Sequence, residues 1–189
     1  VINWSAIGEA VQYYRRHGFT YVEVPWIVPR AVIDVTIPPG HVPHETTGGA
    51  LVGSAEQSFV AMMLDGQLKR GESYVAASPC FRDDPPDRLH QTTFFKVELV
   101  YISDGQDPWD EDLKRKFAHG MALTAQRFFH STLLPKGSPA TSIVQTADGY
   151  DIEYQGIELG SYGVRGHNGW TWVYGTGLAE PRFSIATKG

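Results

Sequence analysis

A single cysteine, Cys80, in 189 residues leaves no internal disulfide to frame the fold and points to a reducing compartment. Basic residues are in deficit: 16 Lys and Arg stand against 21 Asp and Glu, a formal net charge of −5. A surface that tracks a nucleic-acid backbone draws its affinity from phosphate contacts and carries a basic excess. Extensive RNA binding by this chain alone is therefore not expected. The densest basic run, Lys114-Arg115-Lys116, follows Asp110-Glu111-Asp112 and reads as a helix start with complementary charges. No apolar run approaches the ~20 residues of a membrane span, so a cytoplasmic protein with no membrane partner is expected. Internal repeats and low-complexity tracts are missing too. What remains, 42% hydrophobic and 20% charged residues, suits a single domain over residues 1–189 with a core of its own.

Local signals divide that domain. Ser5 can cap a helix running to about Arg16, with Ile7, Val11 and Tyr14 at helical spacing and Gly18 as its stop. Residues Tyr21 to Val28 alternate as a strand, and Pro25 favours an edge or interface position. Residues 36–50, rich in Pro, Gly, His and Thr, read as a long lid or binding loop. A helix from Ala55 to Lys69 follows. Strands at Ser73–Phe81 and Thr92–Ser103 flank a polar hairpin tip, Asp83 to His90. The longest helix is expected from Asp112 to His130, with 131–147 irregular. Strands at 149–154, 156–164 and 170–174 come next, and Leu178 to Thr187 reads as a closing helix. This order predicts an α+β fold, an antiparallel β-sheet flanked by helices.

The chemistry concentrates late in the chain. Asp151, Glu158 and Arg165 recur at intervals of seven, and Gly175-Thr-Gly177 leads to Arg182. Two acids and an arginine on adjacent strands suit a metal-bound polyphosphate held beside a small carboxylate. The hairpin adds to this. Along 94–101, Phe94, Lys96 and Glu98 share one face, and the apolar set Phe95, Val97, Leu99 and Tyr101 takes the other. An aromatic ring on the polar face is a platform for a base, and Arg82 on the neighbouring strand can fork onto a phosphate. The plainer alternative is a salt-bridged hairpin with one surface aromatic. His41 and His44 lack the further ligands that zinc needs.

Taken together these motifs resemble the catalytic core of the class II aminoacyl-tRNA synthetases and their paralogues. A helix and a strand ending in proline (residues 5–25), an arginine followed by His-x-x-x-Phe (Arg82, His90, Phe94), and a glycine-rich strand leading to an arginine (Gly175 to Arg182) occur in the family's order. The resemblance implies a six- or seven-stranded antiparallel sheet and a homodimer through the first motif. It implies ATP and Mg2+ as well. Arg82 would grip the α-phosphate, and Phe94 and Arg182 would sandwich adenine. His90 with Arg88 would reach the γ-phosphate, and Asp151 and Glu158 would hold the magnesium.

The stretch Gly156 to Arg165 looks like the aspartyl and asparaginyl branch, and still more like ammonia-dependent asparagine synthetase. That similarity places Ser54, Glu56, Glu98, Ser161 and Arg165 around the amino acid, with Glu56 accepting from its α-ammonium and loop 36–50 covering it. Phe59 stands where aspartyl enzymes carry a lysine. With Arg165 opposite Glu98, an amide is expected over a carboxylate, hence asparagine over aspartate. The implied activity is ATP-dependent activation of that amino acid as an adenylate, passed to ammonia, an amine, a carrier or a tRNA. Two other roles fit the same motifs. One is a non-catalytic dimeric paralogue that senses an amino acid or nucleotide. The other is a synthetase domain whose RNA-binding part lies outside this segment, which begins at Val1.

Overall fold

Helix α1 (Trp4–Arg16) buries Ala6, Ile7, Ala10, Tyr13 and Tyr14, one stripe at helical spacing. Asn3, not Ser5, caps it: the Asn3 side chain accepts from the Ala6 amide at 3.1 Å. This computed structural model describes residues 1–85, 87–105 and 109–187; Pro86, in the hairpin tip, lies outside them. The strand expected over Tyr21–Val28 is split into β1 (Thr20–Tyr21) and β2 (Ile27–Val28). The chain leaves one sheet and enters another between them, across Pro25, which has no amide to donate.

A short helix, α2 (Arg30–Thr36), then starts behind Pro29. It went unread in the sequence, being too brief to show a period. The expected loop 36–50 holds two further strands, β3 (Glu45–Thr46) and β4 (Gly49–Leu51), which with β2 make a three-stranded sheet in the order β2-β4-β3. Gly49 is required there: at φ 144° a Cβ would meet the Val28 carbonyl oxygen at 2.3 Å. Helix α3 (Ala55–Leu64) stops short of Lys69 because Gly66 turns the chain at φ 71°.

Strands β5 (Ser73–Phe81) and β6 (Thr93–Ile102) form the expected hairpin. Helix α4 (Glu111–Phe128) is capped by Asp110, whose carboxylate accepts from the Leu113 amide at 2.8 Å, and it ends in a π-helical turn, Phe129–Leu133. Strand β7 (Ser142–Gln145) lies in the stretch expected to be irregular. Strands β8 (Gly149–Tyr154), β9 (Ile157–His167) and β10 (Trp170–Glu180) and helix α5 (Arg182–Thr187) complete the chain. The closing helix therefore begins later than expected. Leu178, Ala179 and Glu180 continue β10 by pairing with Val97, Lys96 and Phe95. Pro181 keeps the residue before it out of helical backbone, so the helix can start only after it.

The main sheet has seven strands in the order β1-β5-β6-β10-β9-β8-β7. All pairs are antiparallel except β1 with β5, which makes the sheet mixed rather than purely antiparallel. One face packs under α1, α4 and α5, where Tyr14, Leu99, Phe128, Phe129, Tyr162 and Val173 are buried. The other packs partly under α2, α3 and the small sheet, through Phe59, Val100, Ile102 and Trp172. Each such large side chain contributes about 1.5–3 kcal/mol by burial. Only part of the second face is covered. The remainder, over β8, β9, β10 and the distal ends of β5 and β6, is floored by polar side chains. Among the described residues no helix is long and apolar enough to cross a membrane.

Candidate active site

That uncovered face forms a cavity of about 590 Å³, walled by the start of α3, the 37–43 segment and the base of the β5–β6 hairpin. Every residue assigned from the sequence to ATP, the amino acid or magnesium lines it except Arg88, which is exposed on the hairpin. Strand register explains the convergence. Lys96 and Glu98 on β6 share a face with Thr176 and Ala179 on β10, and Asp151 on β8 sits opposite Ser161 on β9.

At one end lie two buried acids. Glu56, in the first turn of α3, accepts from the Arg165 guanidinium and, at 2.8 Å, from the Trp172 indole N–H. Glu98 accepts from the Ser54 hydroxyl at 2.6 Å, the Ala55 amide and the Lys96 ammonium at 2.7 Å. Arg165 is thus held by Glu56, and Glu98, expected opposite it, is held by Ser54, Ala55 and Lys96. The N-terminal turn of α3 sets Ser54 and Ala55 over Glu98 and swings Glu56 across to β9 and β10. Lys96, whose place on the polar face was legible, was not recognised as a site residue. Its charge sits directly beside Glu98.

These environments push the acids apart. Burial raises Glu56, and the charge of Arg165 and the Trp172 hydrogen bond do not offset it. Burial also pushes Glu98 upward, but the Lys96 charge and the hydrogen bonds from Lys96, Ser54 and Ala55 outweigh it and hold the carboxyl below its ordinary value. The Arg165 guanidinium lies 4.3 Å from the Tyr174 ring centroid, a cation–π contact. Gly163 makes room for that ring, since a Cβ there would meet the Tyr174 hydroxyl at 2.5 Å.

The other end is more open. Arg82 donates from Nε to the Gly53 carbonyl at 3.0 Å, and its guanidinium carbon lies 5.2 Å from the Phe94 ring centroid. Arg182, at the start of α5, pairs with Glu158 at 3.1 Å. Asp151 is raised by burial, against a hydrogen bond from Ser161, and further by the charges of Glu158 and Glu153. Among the described residues no three His, Cys, Asp or Glu side chains converge on one metal position. Asp151 and Glu158 nonetheless suit a divalent cation that takes its other ligands from phosphates and water. They line one wall, they are oxygen donors, and their mutual repulsion is what a cation relieves.

His90 bonds through Nδ1 to Asp87 at 2.8 Å, and this contact with the backbone amides of His90 and Leu89 lowers Asp87 to about 2. His41, considered as a metal ligand, instead pairs with Asp83 at 3.0 Å. The Val42 amide donates to the same carboxylate at 2.9 Å, which pins the 37–43 segment to the hairpin.

This sheet, with a polar cavity on one face and an arginine at each side of it, has close counterparts among solved structures. The chain superposes on seryl-tRNA synthetase from Pyrococcus horikoshii complexed with ATP at a TM-score of 0.71, over 96% of this chain and 49% of that one, with 20% identity. The fold is that of a class II aminoacyl-tRNA synthetase catalytic domain. The same class II fold relates it to cytoplasmic serine-tRNA ligase from Naegleria fowleri in complex with AMP (TM-score 0.71, 15% identity, 96% and 47% of the two chains). Pyrrolysyl-tRNA synthetase from Desulfitobacterium hafniense matches at 0.72, with 14% identity over 98% of this chain and 69% of that one. In sequence, an alignment 115 residues long that covers 51% of the chain is 31% identical to serine–tRNA ligase of Thermotoga neapolitana and covers 26% of that ligase. No family model matches the sequence. The chain thus covers about half the length of the two seryl structures, and the amino acids in its relatives' names are serine and pyrrolysine.

Proposed function

We propose that this chain activates a small polar amino acid, aspartate or asparagine, with ATP to form an aminoacyl-adenylate and pyrophosphate. The observation that carries the reading is the single cavity that joins two chemically distinct ends. One end holds Glu56, Glu98, Lys96 and Arg165, and the other holds Arg82, Phe94, Glu158 and Arg182. The α-carboxylate oxygen of the amino acid bonds to the α-phosphorus of ATP, the bond from that phosphorus to the β-phosphate oxygen breaks, and pyrophosphate carries away the electron pair. No protein nucleophile is needed, so catalysis is alignment and charge stabilisation.

Arg82 binds the α-phosphate from its tether on Gly53. Phe94 and Arg182 hold the base between them. Glu56 and Ser54 orient the α-ammonium. Asp151 and Glu158 would hold magnesium, which when bound neutralises phosphate charge. His90 reaches the γ-phosphate from the hairpin after its ring leaves Asp87, and Arg88 reaches it from the exposed side of the same tip. The acceptor of the adenylate lies beyond this reading.

A homodimer is part of the proposal. Trp4, Trp26 and Ile27, at 61%, 52% and 45% exposure, leave apolar surface around α1 and β2 that a second copy would cover. Amino-acid-dependent exchange of labelled pyrophosphate into ATP, with magnesium and each of the twenty amino acids, tests the activity. Exchange with one amino acid or a few close analogues supports it. Its absence from folded protein overturns it in favour of a non-catalytic binding module. Sedimentation tests the dimer.

A further inference from the structure

Hydrogen-bond capacity at the amino-acid end is lopsided. Glu98 is full. One oxygen accepts from Ser54 and Lys96, and the other accepts from the Ala55 amide and faces the Cys80 thiol at 4.0 Å. A carboxylate offers about four lone-pair sites, so Glu98 has none left for an incoming amide N–H. Glu56 has given up one site to Arg165 and one to Trp172, and it keeps capacity for an α-ammonium. What stays unused is on the donor side. Lys96, 9% exposed and lining the cavity, gives one N–H to Glu98, and Arg165 gives one N–H to Glu56. The remaining donors of both cations are available to a ligand.

We infer that Lys96 is the specificity-determining residue of the site. Together with Arg165 it reads a side-chain carboxylate, so aspartate is the amino acid and asparagine is excluded. This rests on the amino-acid-activation reading above and deepens it. A carboxylate presents one oxygen to each cation. An amide has a single oxygen and must turn its NH2, a donor, against the other cation. Glu98 acts as a positioning residue: it holds the Lys96 ammonium charged and aimed, and does not touch the substrate. The preference for an amide, expected from Glu98 accepting its NH2 opposite Arg165, is thereby reversed, because Glu98 has no acceptor site left to offer.

The test compares L-aspartate, L-asparagine and L-serine in two assays, binding by titration calorimetry and pyrophosphate exchange. It uses the wild type, Lys96→Gln, and the double variant Lys96→Met with Glu98→Gln, which removes both charges so that neither is stranded. The wild type should bind aspartate at least about 100-fold more tightly than asparagine, as expected where a buried polar site rejects a mismatched partner. Lys96→Gln and the double variant should each lose about 100-fold for aspartate, with ATP affinity unchanged. Asparagine or serine binding as well as aspartate in the wild type would overturn the assignment. So would aspartate binding that is indifferent to Lys96. Exchange driven by a neutral amino acid would overturn the role of Lys96 and leave activation standing. Aspartate binding without exchange would do the reverse, and absence of both would overturn both.

Discussion

At the buried end of the cavity both acids have a partner from a different element: Glu56 on α3 with Arg165 on β9, and Glu98 on β6 with the turn that starts α3, in addition to Lys96 on its own strand. At the open end the ion pairs are local or exposed, as in His90 with Asp87 three residues away and Arg182 with Glu158 at half-exposed positions, and only Arg82 among the residues named there is tied to a distant backbone carbonyl, that of Gly53. The first arrangement is preorganised, with desolvation already met in folding. The second stays open to rearrangement by a highly charged ligand. Under the proposed function, the buried end would discriminate between amino acids and the exposed end would capture phosphates.

The sharpest way to break this contrast is Arg82→Ala. Loss of a charge-stabilising donor should cut pyrophosphate exchange by about 10²–10³-fold, while the urea midpoint stays where it was. An equal loss of stability would place Arg82 among the structural groups instead.

Glu56→Ala should show the opposite balance. It strands the Trp172 indole N–H in the interior and frees Arg165 to solvent, so a stability loss of about 1–3 kcal/mol is expected from urea denaturation, along with weaker amino-acid binding. Gly163→Ala should cost about 1–3 kcal/mol by overpacking. It should also weaken amino-acid binding more than ATP binding, because the added methyl displaces Tyr174 from beneath Arg165. Equal effects on both ligands in titrations would dissolve the distinction between the two ends.

The acids supply a finer test. Glu98 is held below its ordinary value of 4.5, so the stability it contributes is fully present above that pH and is lost as pH falls through the folded value. Glu56 is raised, so its contribution is present below the ordinary value and is lost as pH rises through the folded one. Denaturation across the acid range should show a shallower acid loss in Glu98→Gln than in wild type, and a steeper one in Glu56→Gln. The same slope in both variants would contradict the separation. The smallest effect is expected at the hairpin tip. Asp87→Asn, on an exposed loop, should leave the melting temperature unchanged in calorimetry.

How much of this was legible varies by element. The hairpin β5–β6 and helix α4 announced themselves through period and capping, and the alternation on β6 placed Phe94, Lys96 and Glu98 on one face. The second and third motifs bring Arg82, His90, Phe94 and Arg182 to one cavity, whereas Arg88 stays outside it and the helix of the first motif packs on the other face of the sheet. Short elements escaped: α2, β3, β4 and β7 are too brief to carry a pattern and exist because a neighbouring strand or layer accepts them. The end of β10 was mistaken for helix because Leu178 and Ala179 favour either state, and pairing with β6 decides between them.

Sequence by itself determined the class of fold, several of the residues that line the open end of the cavity and the polar face of β6, since each depends on local spacing or on a motif contiguous in the chain. Tertiary structure alone decided which acid meets which cation. Glu56 and Arg165 are 109 residues apart, and Ser54 and Glu98 are 44 apart. No local rule relates such pairs. The angle at which α3 enters the sheet sets them, and with them the charge pattern that the cavity presents.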